Sequence, residues 1–175
     1  MNPRLGFYSF SGQYITKDEG HLTLIDIVTS LSRIDRYAGG AKVPFPVLLH
    51  SLAVADLVPV SLEIYGLLHD MTDAIFGDIP KPFKIPEMLV LQHVMHDRFL
   101  SYFGLVPLSI EDEHLVKVAD TSIFIAEANL FGPPGLAKGL GPVDDKALAL
   151  VTKYLNFDLN LAKDLFIQRM KTNGQ

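Results

Sequence analysis

The sequence predicts an all-α domain with a small β-hairpin at its start. Apolar residues recur at intervals of three and four along most of the chain, the period of a helix with one buried stripe. Aromatic and β-branched runs bounded by a turn, the signature of a hairpin, stand at the beginning. Proline and glycine gather at 78–86 and 132–143, between the periodic segments.

Phe7-Tyr8-Ser9-Phe10 and Gln13-Tyr14-Ile15-Thr16 flank Ser11-Gly12 and read as the two arms of the hairpin. A first helix carries Leu24, Ile27, Val28, Leu31 and Ile34, opened by a Thr23 cap and closed by Gly39-Gly40. Pro44 and Pro46 start a second, over about 46–57. The third is expected as one helix from about Ser61 to Phe76, ended by Gly77. After the 78–86 loop a fourth spans about Glu87 to Phe103, with a core stripe of Met88, Leu91, Met95 and Phe99. Ser109 with Asp112 caps a fifth that ends near Phe131. Residues 132–143 form a long loop, and one or two helices finish the chain on a stripe of Leu161, Leu165 and Phe166.

With 175 residues, 49% hydrophobic and 20% charged, the chain suits one domain over 1–175 with a substantial core. A net charge of −5 argues against a broad basic surface, so no nucleic-acid partner is expected. The absence of cysteine excludes disulfides, thiolate metal sites and cysteine nucleophiles, and fits a reducing cytoplasm. No secretory signal is expected, and no apolar run approaches the roughly 18 residues of a membrane span.

The second, third and fifth helices are expected to be apolar almost all round, and each carries isolated metal-type ligands. His50 stands among Val47, Leu48, Leu49, Leu52 and Val54, and His69, Asp70 and Asp73 share roughly a 100° arc of the third helix. Asp120 lies within Val116, Val118, Ala119 and Ile123, with Glu127 seven residues on and on the same face. Taken singly, each reads more readily as a hydrogen-bonded core residue. Together, buried charges and imidazoles on three packed helices ask for a cation, and a mixed N/O set suits Zn²⁺, Mn²⁺, Co²⁺ or Fe²⁺. His93, His96 and Asp97 look similar in sequence, but His93 and Asp97 point away from their helix's core stripe and are read as solvated. His21 and His114 are read as surface residues.

Several of these segments resemble the HD-domain metal-dependent phosphohydrolases. They are Leu31-Ser32-Arg33-Ile34-Asp35-Arg36-Tyr37-Ala38-Gly39-Gly40, Leu49-His50-Ser51-Leu52, His69-Asp70 with Gly77-Asp78-Ile79-Pro80-Lys81-Pro82-Phe83-Lys84, and Lys117-Val118-Ala119-Asp120. Within that family they are most similar to bacterial 5′-deoxynucleotidases and small phage-type dATP triphosphohydrolases, over roughly residues 5–131. The resemblance implies an HD helical bundle in which His50, His69, Asp70 and Asp120 ligate the metal. It implies Arg36 and Lys84 as phosphate clamps and Asp78 as an acid near the scissile phosphate, through a second ion (Mg, Co or Mn) in one version. Asp73 stands where the family usually carries glutamate, and is the residue for orienting water or moving a proton. Tyr37, Gly39 and Pro82 would surround the nucleoside, with close packing at Gly39 and the ring of Pro82 excluding guanine.

The implied reaction is hydrolysis of deoxyadenosine nucleotides, dATP included, at the α-phosphate. Two alternatives stand beside it: a 5′-deoxynucleotidase for monophosphates of broad base range, and a non-catalytic nucleotide-binding module. For Arg36 and Lys84 the bland reading is a surface cation. The resemblance also implies a cytoplasmic homo-oligomer, dimer or hexamer, acting in the host cytoplasm if phage-encoded.

Overall fold

A computed structural model describes residues 6–173; the ends of the expected domain, 1–5 and 174–175, lie outside the described residues. Strands β1 (Gly6–Tyr8) and β2 (Tyr14–Thr16) pair antiparallel with Phe7 opposite Ile15, as expected. The hairpin is tied down twice. Ile15 is buried in the core, and Arg98 donates to the carbonyls of Thr16 and Lys17, each at 3.0 Å. Asp26 accepts from the backbone of Ser11 at 2.7 Å and of Thr23 at 2.9 Å, closing a capping box with the Thr23 hydroxyl.

Helix α1 (Leu24–Leu31) is shorter than its sequence pattern, and ends eight residues before Gly39-Gly40. The chain then runs antiparallel to 45–47, with Arg36 donating to Phe45 O and Val47 to Ile34 O, which leaves Ile34 in an extended crossing. Helix α2 (Val47–Leu57) is the centre of the molecule: every residue from Val47 to Ala55 is buried. It packs against the helices Glu63–Leu68, Ile110–Leu130, Asp145–Leu155 and Leu159–Asn173.

The expected single helix 61–76 is divided into α3 (Glu63–Leu68) and α4 (Asp73–Phe76), after a short 3₁₀ turn at Val60–Leu62. Between them the backbone tightens, with Met71 bonding Leu68 O, Asp73 bonding Asp70 O and Ala74 bonding Met71 O. Bonds at this spacing wind about three residues per turn and bring side chains three apart into line, so Asp70 and Asp73 stand close. Gly66 allows the approach of α3 to α2; a Cβ there would lie 2.9 Å from Ala55 Cα.

Helices α5 (Pro86–Tyr102), α6 (Ile110–Leu130), α7 (Asp145–Leu155) and α8 (Leu159–Asn173) complete the bundle. The Ser109 cap on α6 is present. Three apolar assignments are corrected. On α5, Met95 and Phe99 are buried with Gln92 and Leu100, whereas Met88 and Leu91 are only half-buried, near the point where Leu89 lines a cavity. Helix α6 packs on α2 and α7 from one side, so it is two-faced, and Val118 is exposed. On α8 the buried stripe is Ala162, Phe166 and Met170, and Leu161 faces solvent. Among the described residues no helix is long and apolar enough to cross a membrane.

Candidate metal centre and substrate cleft

Two imidazoles meet where α2 faces the end of α3. The Glu127 carboxyl is disfavoured as an anion by burial, yet His50 and Arg36 outweigh that and hold it below its ordinary range. It is therefore an acceptor, and His50 Nδ1 donates to its Oε1 at 2.7 Å. His69 Nδ1 donates to the carbonyl of Gly66 at 2.8 Å. Each ring is thus left with an Nε2 lone pair aimed inward, and the two Nε2 atoms are 3.2 Å apart. Lone pairs at that separation need a cation or a proton between them. Fixing Nδ1 by a hydrogen bond so that Nε2 is presented is how proteins orient metal-binding histidines.

Carboxylates close the site. Asp120 Oδ1 is 3.2 Å from His50 Nε2, and Asp70 Oδ2 is 3.2 Å from His69 Nε2 and 3.7 Å from His50 Nε2. Ligand atoms of His50, His69 and Asp120 lie within 4.8 Å of one another, and no other trio of such residues converges among those described. Burial opposes charge on Asp70 and Asp120, but the histidines outweigh it and hold both well below the usual carboxylate range. A proton competes with a metal for the same lone pairs: burial and Arg36 oppose it, yet Glu127 and the bonds to Asp120 and Glu127 raise His50 to about 9.

Around this centre lie two cavities, of about 770 and 450 Å³. They share Asp70, Asp73, Lys84, Lys117 and Asp120, so the ligand cluster forms the partition between them. The larger is lined by Arg36, Tyr37, Asp78, Lys81, Pro82 and Phe124 among others; the smaller reaches Thr72, Gln92, His96 and Leu108.

The chain is 30% identical to the uncharacterized protein YfdR of Escherichia coli (strain K12) over 131 residues, covering 71% of each. No protein-family profile matches it. Its fold matches cyanophage S-2L HD phosphohydrolase (DatZ), solved bound to dA and one catalytic Zn²⁺ ion, with TM-score 0.54 and 18% identity over 87% of this chain and 98% of that one. The chain belongs to one family with YfdR, and it has the helical-bundle fold of an HD phosphohydrolase.

Of the four expected ligands, His50, His69 and Asp120 come together and Asp70 stands beside the histidines, although Asp70 and Asp73 reach the site from the tightened turn rather than from one face of a continuous helix. Asp73 is 3% exposed. Burial first, then the charges of Asp70 and Asp78, push its carboxyl up to about 8 against the pull of Lys84, so it holds a proton at neutral pH.

Arg36 is buried instead of sitting free on the surface. Its Nε donates to Glu127 Oε2 at 3.2 Å, and its Nη1 lies 3.4 Å from Asp78 and 3.8 Å from Asp70. Asp78 also accepts from Tyr37 N at 2.9 Å. Tyr37 and Ala38 both adopt left-handed backbone, with φ of 59° and 52°. That costs on the order of 1–3 kcal/mol per residue and persists only where surrounding contacts enforce it.

Tyr37, Pro82 and Lys84 line the larger cavity, but Gly39 does not. A Cβ at Gly39 would meet nothing within 4 Å, so the expected close packing there is corrected; glycine serves its φ of 76°. His93 is exposed as expected, yet it lines the smaller cavity with half-buried His96 and Asp97. His114 is exposed, whereas His21 is half-buried and stacked on Tyr102 with centroids 3.6 Å apart.

Two residues had no assigned role in the sequence. Glu127 lies on the expected face, but its part as acceptor for His50 depends on a contact 77 residues distant. Lys117 forms an ion pair with Asp120 and lines both cavities. Its position three residues before Asp120 on α6 is the signal that identifies it.

Proposed function

We propose that this protein is a metal-dependent phosphohydrolase that cleaves deoxyadenosine nucleotides at the α-phosphate, releasing deoxyadenosine with triphosphate, diphosphate or phosphate. One observation carries the reading: the facing Nε2 atoms of His50 and His69, flanked by Asp70 and Asp120, open onto a cavity lined by Arg36, Lys81, Lys84 and Lys117. The fold shared with an HD phosphohydrolase solved with dA and catalytic Zn²⁺ supports it.

His50, His69, Asp70 and Asp120 fit a zinc, cobalt, manganese or iron ion, which when bound supplies an acidified water and neutralises phosphoryl charge. Lys84 and Lys117, at the partition between the cavities, place positive charge where a phosphate bridging them would sit. Arg36 adds an Nη1 edge beside Asp70 and Asp78. Protonated Asp73 faces both cavities and is placed to give its proton to the departing 5′ oxygen. A second divalent ion would rely on Asp78 and the substrate's own phosphates, since no second ligand cluster exists among the described residues.

Tyr37, with Phe124 at 6.2 Å between ring centroids, offers a stacking face for the base. Discrimination against guanine then falls to the rigid ring of Pro82. The protein is further proposed to act as a cytoplasmic homo-oligomer, and exposed Leu89, Val90 and Val94 on α5 supply apolar surface for assembly.

The test is chromatographic product analysis after incubation with each dNTP and dNMP plus Co²⁺ or Mn²⁺. Deoxyadenosine and triphosphate from dATP, with dGTP a poor substrate, is the expected result. Turnover of monophosphates alone, across bases, replaces this reading with the 5′-deoxynucleotidase.

A further inference from the structure

We infer that Glu127 is a positioning residue that couples the Arg36–Tyr37 loop to the metal site, so that the order of this loop sets how tightly the ion is held. The inference rests on the metal-centre reading above.

Glu127 is fully buried and touches neither cavity. Its two oxygens divide the work. Oε1 accepts from His50 Nδ1 at 2.7 Å, while Oε2 accepts from Arg36 Nε at 3.2 Å and from the Tyr37 hydroxyl at 3.1 Å. One carboxylate thus grips a metal ligand on α2 and the residues that wall the larger cavity. Tyr37 opens the left-handed stretch Tyr37–Ala38 directly after Arg36, and non-glycine residues enter such backbone only under constraint. Asp78 supplies a second anchor through Tyr37 N and Arg36 Nη1.

A simple core ion pair between Glu127 and Arg36 would need neither the Tyr37 hydroxyl nor the imidazole. If the loop relaxes, Oε2 loses two donors, the carboxylate is free to rotate, and the His50 ring loses the bond that fixes its tautomer and direction. Partners of this kind typically alter metal affinity about 10–100-fold when removed. Linkage makes the effect mutual: whatever orders Arg36 and Tyr37 also tightens the ion, and the ion orders the loop.

The experiment measures Zn²⁺ affinity by chelator competition for the wild-type protein, E127Q, Y37F and the double variant, with folding checked by circular dichroism. E127Q is expected to bind zinc about 10–100-fold more weakly. Y37F keeps the ring, loses only the hydroxyl, and is expected to weaken zinc by about fivefold or more although it contacts no ligand. In the E127Q background Y37F is expected to add nothing, because its effect travels through the missing carboxylate. Zinc affinity in Y37F equal to wild type, or an undiminished Y37F effect in E127Q, overturns the coupling; Y37F alone decides the first point if E127Q fails to fold. A wild-type protein that binds no zinc refutes the metal-centre reading itself, which is a separate outcome.

Discussion

Zinc should stabilise this protein more strongly as the pH rises, and the increment follows from His50. Without metal the ring is protonated up to about pH 9, because Glu127 and Asp120 outweigh burial and the Arg36 charge. The unfolded chain has an ordinary histidine near 6.5. A raised folded value contributes stability that is fully present below about pH 6.5 and is lost as the pH climbs through about 9. Zinc must displace that proton, so below pH 9 each unit of pH changes its apparent affinity about tenfold, or roughly 1.4 kcal/mol. Between pH 6.5 and 8.5 the zinc-induced stabilisation should grow by about 2.7 kcal/mol. For a chain of this length 1 kcal/mol moves Tm by about 2–4 °C, so the added shift is about 5–11 °C. The assay is a pair of thermal melts at each pH, one in EDTA and one in excess zinc, with His50→Ala as the control that shows no zinc shift. A zinc shift equal at the two pH values, or larger at pH 6.5, refutes the assignment of that proton to His50.

Other consequences are as direct. Lys84→Ala removes a charge from the cavity in which the proposed reaction seats the substrate phosphate, and should lower kcat/KM by about 10²–10³ with zinc still bound; near-normal turnover would place the phosphate elsewhere. Asp26→Ala should cost about 0.5–2 kcal/mol at pH 7, because it removes the α1 cap and the bonds to Ser11. Burial raises the Asp26 carboxyl, but its hydrogen bonds prevail and leave it lowered, so its contribution is present above about pH 4 and fades as the pH falls through the lowered value. The difference between wild type and Asp26→Ala in urea melts should therefore shrink in acid. Gly66→Ala puts a Cβ 2.9 Å from Ala55 Cα, and should destabilise by about 1–3 kcal/mol while weakening zinc, since α3 carries both His69 and the carbonyl that orients it. A variant with unchanged Tm and zinc affinity would show that the α2–α3 approach is slack.

Local signals by themselves determined the helical class, the hairpin and the Thr23 and Ser109 caps, and the family resemblance picked out four candidate ligands among the charged groups on apolar helices. Caps and stripes depend on neighbours within four residues, and His50, His69, Asp70 and Asp120 stand out because charge or imidazole amid apolar helix residues is costly without a partner. The tertiary structure decided which partner. Arg36, read as a phosphate clamp, is held by Glu127 91 residues away, and the His50 tautomer is set by that same carboxylate. Tertiary packing also divided the helix at residues 69–72, where the 3.6-residue pattern of the sequence runs on unbroken but the backbone winds tighter to aim Asp70 and Asp73 into one partition. The left-handed backbone at Tyr37 and Ala38 leaves no trace in residue type, because neither favours it; only the pull of Asp78 and Glu127, assembled from distant segments, holds it there.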